Sequence, residues 1–289
     1  MNKVTIGAAL GQAFGFISEA WARAWGIMLA TVVSTAVFQG YDAVHKGPGL
    51  VPFLGFVISV FVGTAVAGAL YRLRLSADHP GDDAFAAHPA GAQWGALEWR
   101  VLGANLLVGL IIGLMAFITF IVWALILGVS IGENPALMQA VRDGGDAEKM
   151  QALKTIMLGP AGVLTLVVVL PISLGIVYIA IRLSLFAVMA ADTRRFDLRR
   201  AWELARGAMA TLIVATVLLV AADFLIGVVV GAAAGLVSGL TGHVGQGGKW
   251  GGVAGQVVGA AINAPLFAGL ALYVYRTQRG DDGVASTFV

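Results

Sequence analysis

The 289-residue sequence predicts an all-α integral membrane protein: six transmembrane helices joined by amphipathic interfacial helices, in three degenerate helix–span–span repeats. Three observations lead there. Hydrophobic residues make up 59% of the chain and charged residues only 12%. Apolar runs near the roughly 20 residues needed to cross a bilayer recur from end to end, leaving no stretch able to bury a soluble core. Arginine is concentrated in the connectors, six of the thirteen falling between 182 and 206. The expected organisation is one membrane domain over 1–289, with an interfacial helix at 1–24, a six-helix bundle at 25–275 and a cytoplasmic tail at 276–289.

The amino terminus reads as a surface helix, because Gln12 and Glu19 interrupt what would otherwise be the apolar region of a signal peptide. Ile6, Leu10, Ala13, Phe14, Ile17 and Trp21 fall on one helical stripe, as in a helix lying in the membrane interface. Spans are expected at 25–43, 50–71, 101–129, 156–182, 208–232 and 252–275. An even number puts both termini on one side, and basic residues choose it. Lys3, Arg23, Arg72, Arg74, Arg100, the six arginines of 182–206, Arg276 and Arg279 share that side; Lys46, Arg142, Lys149, Lys154 and Lys249 lie on the other. The positive-inside rule makes the termini cytoplasmic.

Two outer-face helices are expected after the third span, one opening at Asn134–Pro135 and ending near Gly144, the other starting at Asp146. In the fourth connector a turn follows Arg182. Asp197 then caps "LRRAWELAR", with Leu198, Ala201, Trp202 and Ala205 on one stripe and Arg199, Glu203 and Arg206 on the other. Arginines so placed favour anionic headgroups, each worth ~1 kcal/mol near such a surface. Arg182, Arg194, Arg195, Arg199, Arg200 and Arg206 are therefore the candidate lipid contacts, with snorkelling accounting for Arg182.

"EAWARAWGIML", "ALEWRVLGANLL" and "RAWELARGAMATL" each place tryptophan, arginine and glycine before an odd-numbered span, while "GALYRLRLS", "IAIRLSLF" and "LALYVYRTQ" each end an even-numbered span on arginine. Together with the opening "TIGAALGQAFGFISEAWARAWGIML" and the closing "APLFAGLALYVYR", the segment "IRLSLFAVMAADTRRFDLRRAWELARG" resembles the membrane domain that accompanies some glycerophosphoryl diester phosphodiesterases, and related YciC-like bacterial inner-membrane proteins. The resemblance covers most of the chain and implies a location in the bacterial inner membrane. It implies no catalysis, since the soluble catalytic domain of such fusions is absent from these 289 residues.

Chemistry is sparse. No cysteine is present, which excludes disulfides and thiolate sites. The net charge of +2 comes from arginines beside spans, so nucleic acid is not an expected partner. Asp78, His79, Asp82, Asp83 and His88 lie within eleven residues, but their spacing matches no metal motif and a loop broken by proline and glycine is expected to be polar; no metal or cofactor is expected. Asp223 is the sharper anomaly. At ~1.5 Å per residue it lies about 22 Å along the fifth span from Ala208, inside a hydrocarbon layer ~30 Å thick. A lone acid there costs ~2.5–3.5 kcal/mol, so it should face protein or water, with Asn105, Gln256 and Asn263 as further candidates for a polar interior. Gly227, Gly231, Gly235 and Gly239 on the fifth helix, and Gly247, Gly251, Gly255 and Gly259 leading into the sixth, predict a tight hairpin.

The expected function is that of a non-enzymatic inner-membrane protein in envelope or lipid homeostasis, or a membrane assembly partner. Its expected partners are membrane lipids with anionic headgroups and a second copy or another membrane protein. The alternative is a transporter or channel for a small solute with Asp223 in the pathway.

Overall fold

The computed structural model describes residues 4–45, 49–86, 88–132, 138–139, 142, 145–240 and 247–286. Every regular element among them is helical. Six stretches are long and apolar enough to cross a membrane: Trp25–Val44, Leu50–Leu75, Ala96–Gly132, Pro160–Thr193, Met209–Val237 and Trp250–Gly280. The chain is an all-α multi-pass protein. It divides into two compact units, one comprising Met1–Asn105 and Arg182–Val289, the other Leu106–Ile181.

The first unit contains α1 (Ile6–Arg23), α2 (Trp25–Val44), α3 (Leu50–Leu75), the opening of α4 (Ala96–Gly132) and, from the second half of the chain, α8 (Phe186–Thr193), α9 (Leu198–Gly207), α10 (Met209–Leu240) and α11 (Gly247–Ser286). α11 is its axis. Half of its apolar span is buried, against 6–17% of the other five, because it packs on α10, α1, α2 and α3. α11 runs to Ser286, so the expected tail is helical well past Tyr275.

The face that α1 buries is not the apolar stripe read from the sequence, which shares only Ala13 with it. Its buried residues are Ala9, Ala13, Phe16 and Ala20, while Ile6 and Phe14 are exposed. The reason is close approach: a Cβ on Gly269 of α11 would lie 3.1 Å from the Ala13 Cα and 2.9 Å from the Phe16 Cβ. Small residues let two backbones meet, and the large apolar ones lose nothing by facing lipid. The start of α1 is tied down by the Thr211 hydroxyl, which donates to the Val4 carbonyl at 2.9 Å.

The glycine hairpin is present. A Cβ on Gly251 would meet the Gly231 carbonyl oxygen at 2.9 Å, and one on Gly255 would meet the Gly227 Cα at 3.7 Å. Nothing approaches Gly235 within 4 Å, so the tight contact covers only part of the expected stripe.

The stretch after Arg182 is not a simple turn. Residues 186–193 form α8, in which Phe186 through Asp192 are all buried, and the candidate surface helix begins only after it. α8 ends at Arg194 in a left-handed conformation (φ 60°, ψ 20°), a position where glycine is the usual residue. Asp197 caps α9 as expected, accepting from the Arg200 backbone N–H at 3.0 Å. The buried residues of α9 are Ala201, Leu204 and Ala205.

The second unit contains the remainder of α4, α5 (Asp146–Leu158), α6 (Pro160–Leu164), a π-helical turn (Thr165–Val169) and most of α7 (Leu170–Leu183). α5 is capped at Gly145 rather than Asp146, the Glu148 carboxylate accepting from the Gly145 N–H at 3.0 Å. It takes residues 156–158 from the predicted fourth span, which starts at Pro160. The wide turn precedes Pro171, whose ring would otherwise press on the carbonyl of Val167. The helix expected to open at Asn134–Pro135 and close at Gly144 has both its ends outside the described residues.

Candidate functional site: the arginine-rich end of the first unit

Helix ends, connectors and α9 gather most of the arginines in one region, and the first question is which of them are already partnered. Arg72, 3% exposed at the end of α3, forms a two-pronged ion pair with Glu98, which is fully buried in the first turn of α4. The second prong, from Arg72 Nη2 to Glu98 Oε2, is 2.7 Å. Glu98 also accepts from the Gly95 N–H at 2.8 Å, and Arg72 Nε donates to the Ala84 carbonyl at 3.1 Å. Only glycine fits beside this pair, because a Cβ on Gly68 would collide with the Glu98 carboxylate. Arg74 reaches Glu19 of α1 at 2.8 Å and lies over the Phe16 ring.

A second buried carboxylate organises the loop after α3. Asp192 of α8, 5% exposed, accepts from His79 Nε2 at 2.7 Å, from the Tyr275 hydroxyl at 2.5 Å and from Arg279 Nη1 at 2.7 Å. The His79 ring stacks on Phe85 at 4.4 Å. Asp78 accepts from Arg276 at 2.7 Å, and Asp82 pairs with Arg194. Two of the three loop acids that raised the metal question, Asp78 and Asp82, are thus bound to arginines, and among the described residues no group of three potential ligands is placed to hold a metal. The loop instead fastens α3 to α8 and α11.

Of the six candidate lipid contacts, two are engaged internally. Arg182 is 6% exposed: its Nη1 donates to the Trp202 carbonyl at 3.1 Å and its guanidinium lies 4.3 Å from the centre of the Trp202 ring. It ties the last two residues of α7, which belong to the first unit, to α9 and does not reach outward as a snorkelling side chain would. Arg194 is held by Asp82. Arg195, Arg199, Arg200 and Arg206 are exposed. Arg199 makes a 3.0 Å pair with Glu203 one turn on, with the arginine side chain 90% exposed. Arg199, Arg200 and Arg206, with Gln278 of α11, line an open groove of about 700 Å³ in which Asp197 and Glu203 are the acids.

The intramembrane candidates divide. Asn263 Nδ2 donates to Asp223 Oδ1 at 2.9 Å between α11 and α10, and Gly259 leaves the space in which they meet. Asn105 and Gln256 are exposed and do not join this pair. Sequence reasoning passed over Glu98 and Asp192 and took Trp21 only as part of the α1 stripe. A usable signal existed for the first: each connector carries a glutamate beside its tryptophan motif, Glu19, Glu98 and Glu203, and all three pair with arginine. Asp192, inside the apolar run "FAVMAADT", carried the same warning as Asp223.

No protein-family model matches the chain, and comparison with curated proteins and with solved structures finds no match either.

Proposed function

We propose that the chain is a non-enzymatic multi-pass protein of the bacterial inner membrane, with both termini cytoplasmic, that serves envelope or lipid homeostasis or membrane assembly by holding anionic lipid headgroups at α9. One observation carries the reading. Where internal ion pairs absorb Arg72, Arg74, Arg194, Arg276 and Arg279, and Trp202 engages Arg182, the four arginines Arg195, Arg199, Arg200 and Arg206 stay exposed, the first just before and the other three on a short helix anchored by its opposite face. Basic residues at a membrane surface attract anionic lipid at ~1 kcal/mol each, enough together for a strong preference over zwitterionic lipid. The test is native mass spectrometry of the protein released from nanodiscs of mixed phosphatidylglycerol and phosphatidylcholine. Replacing all four arginines with glutamine should abolish the phosphatidylglycerol preference, and a preference that survives the replacement defeats the proposal.

A second reading, transport of a small solute or proton, draws on the Asp223–Asn263 pair, in which the Asn263 Oδ1 is buried with no hydrogen-bond partner. Its test is potential-driven proton uptake into proteoliposomes. Uptake that exceeds that of empty vesicles and is lost in Asp223→Asn supports it; uptake equal to empty vesicles removes it.

A further inference from the structure

A cavity of about 290 Å³ opens among α3, α10 and α11 in the first unit. Its walls are mostly apolar, with Gly63, Ala67, Leu212 and Phe267 among them, and Tyr71, Ser184 and Thr216 are the hydroxyl-bearing residues of the lining. Tyr71 is only 7% exposed, yet no hydrogen bond engages its hydroxyl among the described residues. Thr216 is likewise unengaged. The contrast is informative, because Thr31, Thr64, Thr119, Thr193 and Thr277 each return their hydroxyl to the carbonyl four residues earlier. A hydroxyl that opens onto an apolar space in a membrane has no protein acceptor and no bulk water to donate to, so Tyr71 and the half-buried Thr216 on one apolar cavity define a place for an acceptor attached to an apolar body.

Depth narrows the identity of that body. Tyr71 stands four residues from the end of α3 and Thr216 seven from the start of α10, which at ~1.5 Å per residue is about 6 and 10 Å along the helices. The polar zone of a bilayer occupies several ångströms on each side of a hydrocarbon layer ~30 Å thick, so both hydroxyls stand where headgroup chemistry gives way to chains. Gly63, exposed and a further two turns along α3, places the mouth of the cavity on the hydrocarbon side. We infer that this cavity seats one acyl chain of a membrane glycerolipid, whose ester carbonyl accepts from the hydroxyls of Tyr71 and Thr216. The site extends the lipid reading given above but uses none of the α9 arginines, so it selects the ester and the chain rather than the headgroup.

The experiment uses the full chain in nanodiscs made separately from phosphatidylglycerol, from phosphatidylcholine and from a dialkyl ether analogue of each, with retained lipid counted by native mass spectrometry. The wild type should retain either diester lipid and hold the ether analogue about fivefold less. Gly63→Leu fills the cavity at a position where an added Cβ meets nothing within 4 Å, so it should fold and lower retention about tenfold. Tyr71→Phe combined with Thr216→Val should erase the difference between diester and ether lipid while the fold survives. A folded Gly63→Leu protein that retains lipid like the wild type overturns the inference, and so does a wild type indifferent to ester against ether. Should Gly63→Leu fail to fold, the ester–ether comparison decides alone. Loss of headgroup preference in the α9 glutamine variant with cavity retention intact upholds both proposals. A headgroup preference that survives that variant sinks the α9 proposal only.

Discussion

The indole Nε1 of Trp21 donates at 3.0 Å to the carbonyl of Ala261, the one carbonyl of α11 that Pro265, four residues on and lacking an N–H, leaves without its helical donor. A proline inside a spanning helix strands an acceptor, and a membrane offers no water to satisfy it. α1 supplies the missing donor from outside the helix.

Trp21→Phe should therefore lower stability by about 1–2 kcal/mol, measured by reversible unfolding in detergent. In a Pro265→Ala background, where residue 265 regains its N–H, the same substitution should cost measurably less. Equal costs in the two backgrounds would separate Trp21 from Pro265.

Breaking the Arg72–Glu98 pair on one side should be severe. Arg72→Met or Glu98→Gln leaves a buried charge facing no counter-charge, at a cost of about 3–5 kcal/mol. The double replacement Arg72→Met/Glu98→Leu should recover most of that loss in the same unfolding assay, because an apolar pair needs no desolvation.

Asp192→Ala releases three donors at once and should loosen the connector after α3. Hydrogen exchange over residues 76–86 is expected to accelerate. Tyr275→Phe removes one donor and should cost only about 1 kcal/mol, with exchange in that loop little changed. Unaltered exchange in Asp192→Ala would show that the connector is held by the Asp78 and Asp82 pairs instead.

Two glycines on neighbouring rungs should behave oppositely. Gly251→Leu drives a side chain at the Gly231 backbone and should destabilise by about 1–3 kcal/mol, whereas Gly235→Leu meets open space and should gain up to about 1 kcal/mol in helix propensity. Thermal unfolding of the two variants side by side makes the comparison.

The six spans were legible because a bilayer imposes a length and a composition that no soluble helix shares, and the Gly227/Gly231 and Gly251/Gly255 approach was legible because only glycine permits it. Asp197 announced itself as a cap by standing directly before the apolar period of α9. The buried face of α1, Ala9, Ala13, Phe16 and Ala20, was not marked by its apolar stripe for a physical reason: large apolar residues mark the inner face of a helix in water, but in lipid they are equally well placed outside, and small residues mark close packing. Arg182 was read as a headgroup contact, and Arg72 only as one of the charges that set orientation, because their partners, the Trp202 carbonyl and Glu98, lie twenty or more residues away and are brought near only by the tertiary fold. The Asp223–Asn263 contact was half legible, as polar character in a span singles out candidates without saying which face each occupies.

The rungs of the α10–α11 hairpin, Gly231 with Gly251, Gly227 with Gly255 and the Asp223–Asn263 pair beside Gly259, recur every four residues along each helix, about 6 Å at the usual rise. A shift of one residue would set Val230 or Val228 where a glycine stood and drive a branched side chain into the facing backbone. It would also part the Asp223 carboxylate from the Asn263 amide. The two helices are therefore keyed like a toothed rail, resisting small slips along their length, and because α11 is also packed on α1, α2 and α3 the rail holds α10 in register with the rest of the first unit.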